Sequence, residues 1–122
     1  MARVAIAGST GSIGKQTLDV IRSAREGEHQ VVALSVNSSA DEVVAQARMF
    51  KPVIVVVSDK KAREKVAREL KTTDPKIEVV AEPEQMSVIA DVVVNGVVGF
   101  AGLSVTMAAL KNGKRLALAN KE

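Results

Sequence analysis

The stretch ARVAIAGSTGSIGKQTLDVI, Ala2 to Ile21, decides the fold. Val4 to Ala7 is a short apolar run and reads as a buried strand. Gly8, Gly11 and Gly14 break that run, and Ile13, Thr17, Val20, Ile21 and Ala24 follow at the spacing of one helix face. Strand, glycine turn and helix, in that order, make a holder for an anion. Glycines let the backbone come close to a phosphate, and the first helical turn offers N–H groups that have no acceptor within the helix. The helix dipole adds roughly half a positive charge at that end. A pyrophosphate is the natural guest. The spacing Gly8-x-x-Gly11-x-x-Gly14 is looser than the G-x-G-x-x-G fingerprint, and a glycine turn also has purely structural uses. Its place in the first strand-to-helix turn of an alternating chain favours dinucleotide binding. A P-loop is excluded, because Ser9 stands at its first glycine position and Gln16 where Ser or Thr must follow the lysine. Lys15 is therefore expected on the exposed side of the helix.

The rest of the chain repeats the alternation. Strands are expected at Gln30 to Val36, Val53 to Val57, Ile77 to Val80, Asp91 to Asn95 and Arg115 to Ala119. Helices are expected at Ala40 to Phe50, Lys60 to Leu70, a short segment after Pro83 carrying Met86 and Ile89, and Ala101 to Lys111. Glu26 to His29 reads as a loop. Asn37, Ser38 and Ser39 close the second strand and can cap the next helix, as Ser58 and Asp59 can cap the third. The charges Lys60, Lys61, Arg63, Lys65 and Arg68 are interleaved with Glu64 and Glu69, and they read as a solvated helix face. Alternation of this kind forces parallel pairing with right-handed crossovers. The expected fold is α/β: one three-layer domain over 1–122, a Rossmann-like, doubly wound parallel sheet of order 3-2-1-4-5-6. The carboxyl ends of all strands then share one edge, which gathers Gly8 to Gly14, Asn37 to Ser39, Ser58, Asn95 to Gly102 and Asn120 to Glu122.

Composition narrows the function. The chain has 122 residues, enough for one real core. Its hydrophobic fraction is 47% with only 2% aromatic residues, so Val, Ala, Leu and Ile must build that core. It has no Cys, which excludes disulfides and thiolate metal sites, and its one His, His29, sits in a polar context. A net charge of +3 without Tyr or Trp gives no case for nucleic acid. No run reaches transmembrane length, and Met1 leads straight into a strand, so a cytoplasmic protein without membrane or nucleic-acid partners is expected. The second strand is followed by Asn37-Ser38-Ser39, where NAD-binding folds place Asp or Glu for the ribose 2′-hydroxyl. This neutral, hydroxyl-bearing site favours NADP over NAD.

Three stretches together carry a family resemblance: GSTGSIGKQTLDVIR at Gly8 to Arg22, QVVALSV with its following polar loop, and VVGFAGLSVTMAALKNGKRLALANKE at Val97 to Glu122. The chain resembles the 1-deoxy-D-xylulose 5-phosphate reductoisomerases of non-mevalonate isoprenoid biosynthesis over its whole length. It departs from them at Asn37-Ser38-Ser39, where the family commonly has Gly-Lys-Asn, and at Val105, where it often has Pro. The resemblance implies that Thr10, Gly11, Ser12 and Ile13 contact the phosphates and ribose of NADPH. It places Asn37, Ser38 and Ser39 by the adenosine 2′-phosphate, Asn120 and Glu122 against the cofactor, and Lys121 against the sugar-phosphate substrate. It implies an oxidoreductase that rearranges 1-deoxy-D-xylulose 5-phosphate and reduces the product with NADPH to 2-C-methyl-D-erythritol 4-phosphate. A divalent metal, Mg or Mn, would be held by carboxylates of a catalytic domain beyond Glu122, and the full-length protein would be a homodimer. On this reading the chain is an N-terminal NADPH-binding domain, with no catalytic residue and no metal ligand of its own. Glu82, Glu84 and Asp91 are the nearest approach to a metal-binding group, and they read as loop and helix-end charges. Two alternatives remain open: a stand-alone NAD(P)-sensing module, and another Rossmann dehydrogenase, such as a semialdehyde or dihydrodipicolinate type.

Overall fold

The computed structural model describes residues 2–23, 29–96 and 115–118. Strand β1 is Ala2–Ala7, and helix α1, Ser12–Ser23, follows the glycine turn. The chain continues as β2 (His29–Val36), α2 (Ala40–Phe50), β3 (Ile54–Val57), α3 (Lys60–Thr73), β4 (Glu78–Val80), α4 (Glu84–Ile89), β5 (Val92–Asn95) and β6 (Arg115–Leu118). His29 thus opens a strand rather than lying in a loop. The expected helix at 101–111 lies outside the described residues.

All strand pairs are parallel, in the order β4-β3-β2-β1-β5-β6. This corrects the expected order 3-2-1-4-5-6. The fourth strand pairs with β3 at the outer edge, and the fifth takes the place beside β1. The reason is the face on which α3 packs. Leu18 of α1, Val43, Val44 and Ala47 of α2, and Ala62, Val66 and Leu70 of α3 share one apolar cluster with Val4, Ile6, Leu34 and Val55. Three successive crossovers on one face carry the chain steadily in one direction, so β4 must lie beyond β3. Met86 and Ala90, in and just after α4, pack in a second cluster with Ala5, Ala7, Ala33, Val56 and Val93. The return crossover therefore lies on the other face and delivers β5 next to β1.

The central strands are buried on both faces, which is why they read as continuous apolar runs. The β1–β2 register shifts between Val4 and Ala5. At that shift Val32 and Ala33, consecutive in sequence, both join the α4 cluster. Burial of each large aliphatic side chain contributes about 1.5–3 kcal/mol. The core is therefore held by many Val and Leu contacts rather than by a few aromatic ones.

The helix ends show which residues direct the chain. Asp59 caps α3 by accepting the Ala62 N–H at 2.9 Å. Lys51 ends α2 in the left-handed region, at φ 50, with its N–H on Ala47 O at 2.8 Å. Its ammonium reaches Asp74, at the end of α3, at 2.7 Å. The hydrogen bond from Lys51 holds the Asp74 carboxyl below its ordinary range, against a smaller opposing effect of burial. A depressed carboxyl favours the folded state above its unfolded pKa and loses that effect as pH falls through the folded one. Asp74→Asn should therefore lower stability by a constant amount from about pH 7 to pH 5. The gap to the parent chain should close as pH drops below about 4, the ordinary carboxylate pKa. Urea denaturation across that range checks this.

Candidate functional site

The glycine turn is built by two close approaches. Gly8 takes φ 72, a conformation open to glycine, and its N–H and that of Ser9 both donate to Ser35 O, at 2.9 and 3.1 Å. The turn then folds back, with Gly11 N–H on Gly8 O at 3.1 Å and Lys15 N–H on Gly11 O at 2.9 Å. That last bond is the first of the helical pattern, so the N–H groups of Ser12, Ile13 and Gly14 precede it and have no intrahelical acceptor. A Cβ on Gly14 would stand 2.4 Å from Gly8 O and 2.5 Å from Ser9 Cα. Gly14 is thus required by the packing of α1 on the turn. Among the described residues, a Cβ on Gly11 would meet only Gly8 O, at 3.4 Å, an ordinary contact.

This geometry corrects the helix face read from the sequence. Gly14 and Leu18 are buried, Ile21 is half-buried, and Val20 is 67% exposed. Lys15 lies on the outside, as expected, paired with Glu42 of α2 at 3.0 Å.

The expected loop residues that are described lie on the same edge. Asp59 N–H donates to Asn37 O at 2.9 Å and Ser58 N–H to Val36 O at 3.2 Å, joining the loop after β3 to the loop after β2. Gly96 N–H donates to Ala7 O at 3.0 Å, and a Cβ there would lie 3.3 Å from Ile13 Cβ. Thr10, Gly11, Ser12, Ile13, Asn37, Ser38, Ser39 and Gly96 are therefore brought to one rim. Asn120, Lys121 and Glu122 lie outside the described residues. Ser39 occupies the cap position of α2, but its side chain makes no cap hydrogen bond, contrary to expectation. Its φ of −79 and ψ of 68 depart from the extended cap geometry. Asp91 lies at the opposite edge, where its carboxylate accepts the Arg3 N–H at 3.0 Å and meets the Arg3 guanidinium at 3.5 Å. Among the described residues, no group of three His, Cys, Asp or Glu is placed to hold a metal ion.

Two features escaped the sequence. Gln46 of α2 donates its amide to Ser9 O at 2.9 Å, from a partly buried position. It ties the second helix to the glycine turn. A lone amide beside the apolar Val43 and Ala47 was the only signal for it. The basic run of α3 is not uniformly a solvated face either. Lys61 and Lys65 line a cleft of about 550 Å³ together with Ser38, Ser39, Asp41, Glu42 and Asp59. Lys65 pairs with Asp41 at 2.7 Å, while Arg63 turns inward to the carbonyls of Val57 and Ser58 at 3.1 and 3.3 Å.

Stability should separate the glycines. Alanine for glycine in a helix ordinarily gains about 1 kcal/mol. Gly14→Ala should instead lose about 1–3 kcal/mol, because backbone atoms block its methyl. Gly11→Ala should leave stability within about 0.5 kcal/mol of the parent. Gln46→Leu should cost about 1–3 kcal/mol by leaving the Ser9 carbonyl unpaired. Urea melts of the three variants measure all three.

Residues 4–122 match the family model for 1-deoxy-D-xylulose 5-phosphate reductoisomerase. A protein of that name from Leifsonia xyli is 41% identical over 98% of this chain and 28% of its own length. One from Desulfitobacterium hafniense is 46% identical over all of this chain and 32% of its own. A crystal structure of DOX-P reductoisomerase in complex with NADPH, fosmidomycin and magnesium superposes with a TM-score of 0.91 at 32% identity, covering 98% of this chain and 30% of that one. The Zymomonas mobilis enzyme in complex with NADPH gives 0.86 at 31% identity, over 98% of this chain and 32% of that one. The chain thus spans about a third of the length of these relatives.

Proposed function

We propose, from the premise that this chain belongs to the 1-deoxy-D-xylulose 5-phosphate reductoisomerase family, that its C-terminal sheet edge binds NADPH. The observation that carries the reading is the start of α1: three N–H groups without intrahelical acceptors, beside a Gly11 at which, among the described residues, a side chain would meet only Gly8 O. Those groups fit a pyrophosphate in both charge and shape. Thr10, Gly11, Ser12 and Ile13 then hold the phosphates and the adjoining ribose. The next loop outward is Asn37, Ser38 and Ser39. It receives the adenosine ribose, and the Ser39 hydroxyl, which does not cap α2, is a neutral donor there.

The wider reading follows the family. Within a whole protein, this domain positions NADPH for the reductive step on rearranged 1-deoxy-D-xylulose 5-phosphate. Bound NADPH supplies the hydride. Asn120 and Glu122 contact the cofactor and Lys121 the sugar phosphate. The divalent metal and its carboxylates belong to parts of the family's enzymes that these residues do not match. The full-length enzyme is a cytoplasmic homodimer without nucleic-acid or membrane partners. No helix among the described residues is long and apolar enough to cross a membrane.

Calorimetry tests the binding claim. The chain should bind NADPH with Kd of about 10 µM to 1 mM. Gly11→Val should abolish binding while the melting curve stays intact. A carboxylate about 4 Å from the 2′-phosphate repels each of its charges by roughly 1–4 kcal/mol. Ser38→Asp should therefore weaken NADPH at least tenfold and leave NADH unchanged. The chain alone should not oxidise NADPH in the presence of 1-deoxy-D-xylulose 5-phosphate and Mg²⁺, and turnover above background would contradict that part of the reading.

A further inference from the structure

The NADPH reading leaves the 2′-phosphate facing a loop with no charge, because Asn37, Ser38 and Ser39 are all neutral. The cleft in front of that loop supplies the missing cation. Ser38 and Ser39 form one side of it, and Asp59, Lys61 and Lys65 the other. Its carboxylates are already engaged. Asp41 holds Lys65 at 2.7 Å, Glu42 holds Lys15 at 3.0 Å, and Asp59 takes the Ala62 N–H at 2.9 Å. Lys61 is exposed, and among the described residues it makes no ion pair. It is the one cation of the cleft without an ionic partner.

We infer that Lys61 is the charged contact for the adenosine 2′-phosphate and the residue that sets the preference for NADPH over NADH; the inference rests on the NADPH reading of the same edge. A lysine on a flexible stem suits this duty, because a terminal phosphate needs a compact point charge and not a planar fork. Asp59 fixes where that stem starts. It caps α3 through Ala62, and its own N–H is held by Asn37 O, so the base of Lys61 is tied to the loop that holds the ribose. The contact is between groups open to solvent, so salt must weaken it.

The test is a titration of NADPH and NADH into the parent chain, Lys61→Ala, Lys61→Arg and Lys60→Ala. Lys60 precedes Lys61 in α3 and does not line the cleft. Lys61→Ala should weaken NADPH about tenfold and leave NADH unchanged, which is about 1.4 kcal/mol of lost discrimination. Lys61→Arg should restore most of the preference, and Lys60→Ala should change nothing. The parent's ratio of NADPH to NADH affinity should shrink from low to high salt, and the ratio for Lys61→Ala should stay flat. A parent chain that prefers NADPH together with an unchanged ratio in Lys61→Ala overturns this inference alone. So does equal weakening of both cofactors by Lys61→Ala, or an equal effect of Lys60→Ala. A parent chain that binds neither cofactor overturns the NADPH reading and this inference with it.

Discussion

The contact of α1 with its own entry turn constrains everything else on the candidate site. Gly14 lies so close to Gly8 and Ser9 that no side chain fits between them. That approach fixes the height of the helix over the sheet and points its first N–H groups across the end of β1. Gly8 allows the reversal, through its positive φ, and Ser35 O receives two N–H groups to hold it. Gln46 then ties the turn from the side, through Ser9 O. The backbone at the start of α1 is thus held in place by the chain's own contacts. Binding needs little ordering of the backbone, and that lowers its entropic cost.

Electrostatics around this seat is local and mostly paired. The carboxylates that face the outer cleft are bound to Lys65, to Lys15 and to the first turn of α3. This matters because an unpaired carboxylate near the ribose would repel a 2′-phosphate. Neutral Ser38 and Ser39, with paired acids behind them, leave Lys61 to decide the sign of the field at the loop.

Much of this was legible in the sequence. The glycine spacing, the apolar strands and the polar loops gave the alternation, the parallel sheet and the shared edge, because each rests on local backbone chemistry. Apart from the strand start at His29 and the missing side-chain cap at Ser39, the misreadings concern packing direction. The face read on α1, Ile13, Thr17, Val20, Ile21 and Ala24, is rotated from the buried one, which runs through Gly14 and Leu18 with Ile21 at its edge and leaves Val20 exposed. Counting hydrophobic residues cannot reveal that a glycine marks the closest approach. Strand order failed because the stripe Ala62, Val66 and Leu70 says that α3 has one buried face, but not which side of the sheet receives it. Gln46 and Lys61 were hidden for a related reason. What each faces lies on another element: Ser9, 37 residues away, for Gln46, and the loop of Ser38 and Ser39 across the cleft for Lys61. No spacing rule within one helix reports such a partner.

Amide NMR of the chain during an NADPH titration tests most directly whether the start of α1 holds the pyrophosphate of NADPH. Saturable shifts are expected, largest at the N–H groups of Ser12, Ile13 and Gly14, with a second set at Ser38 and Ser39 that NADH reproduces only weakly. Saturable shifts confined to other parts of the sheet, with those amides unmoved, would contradict it.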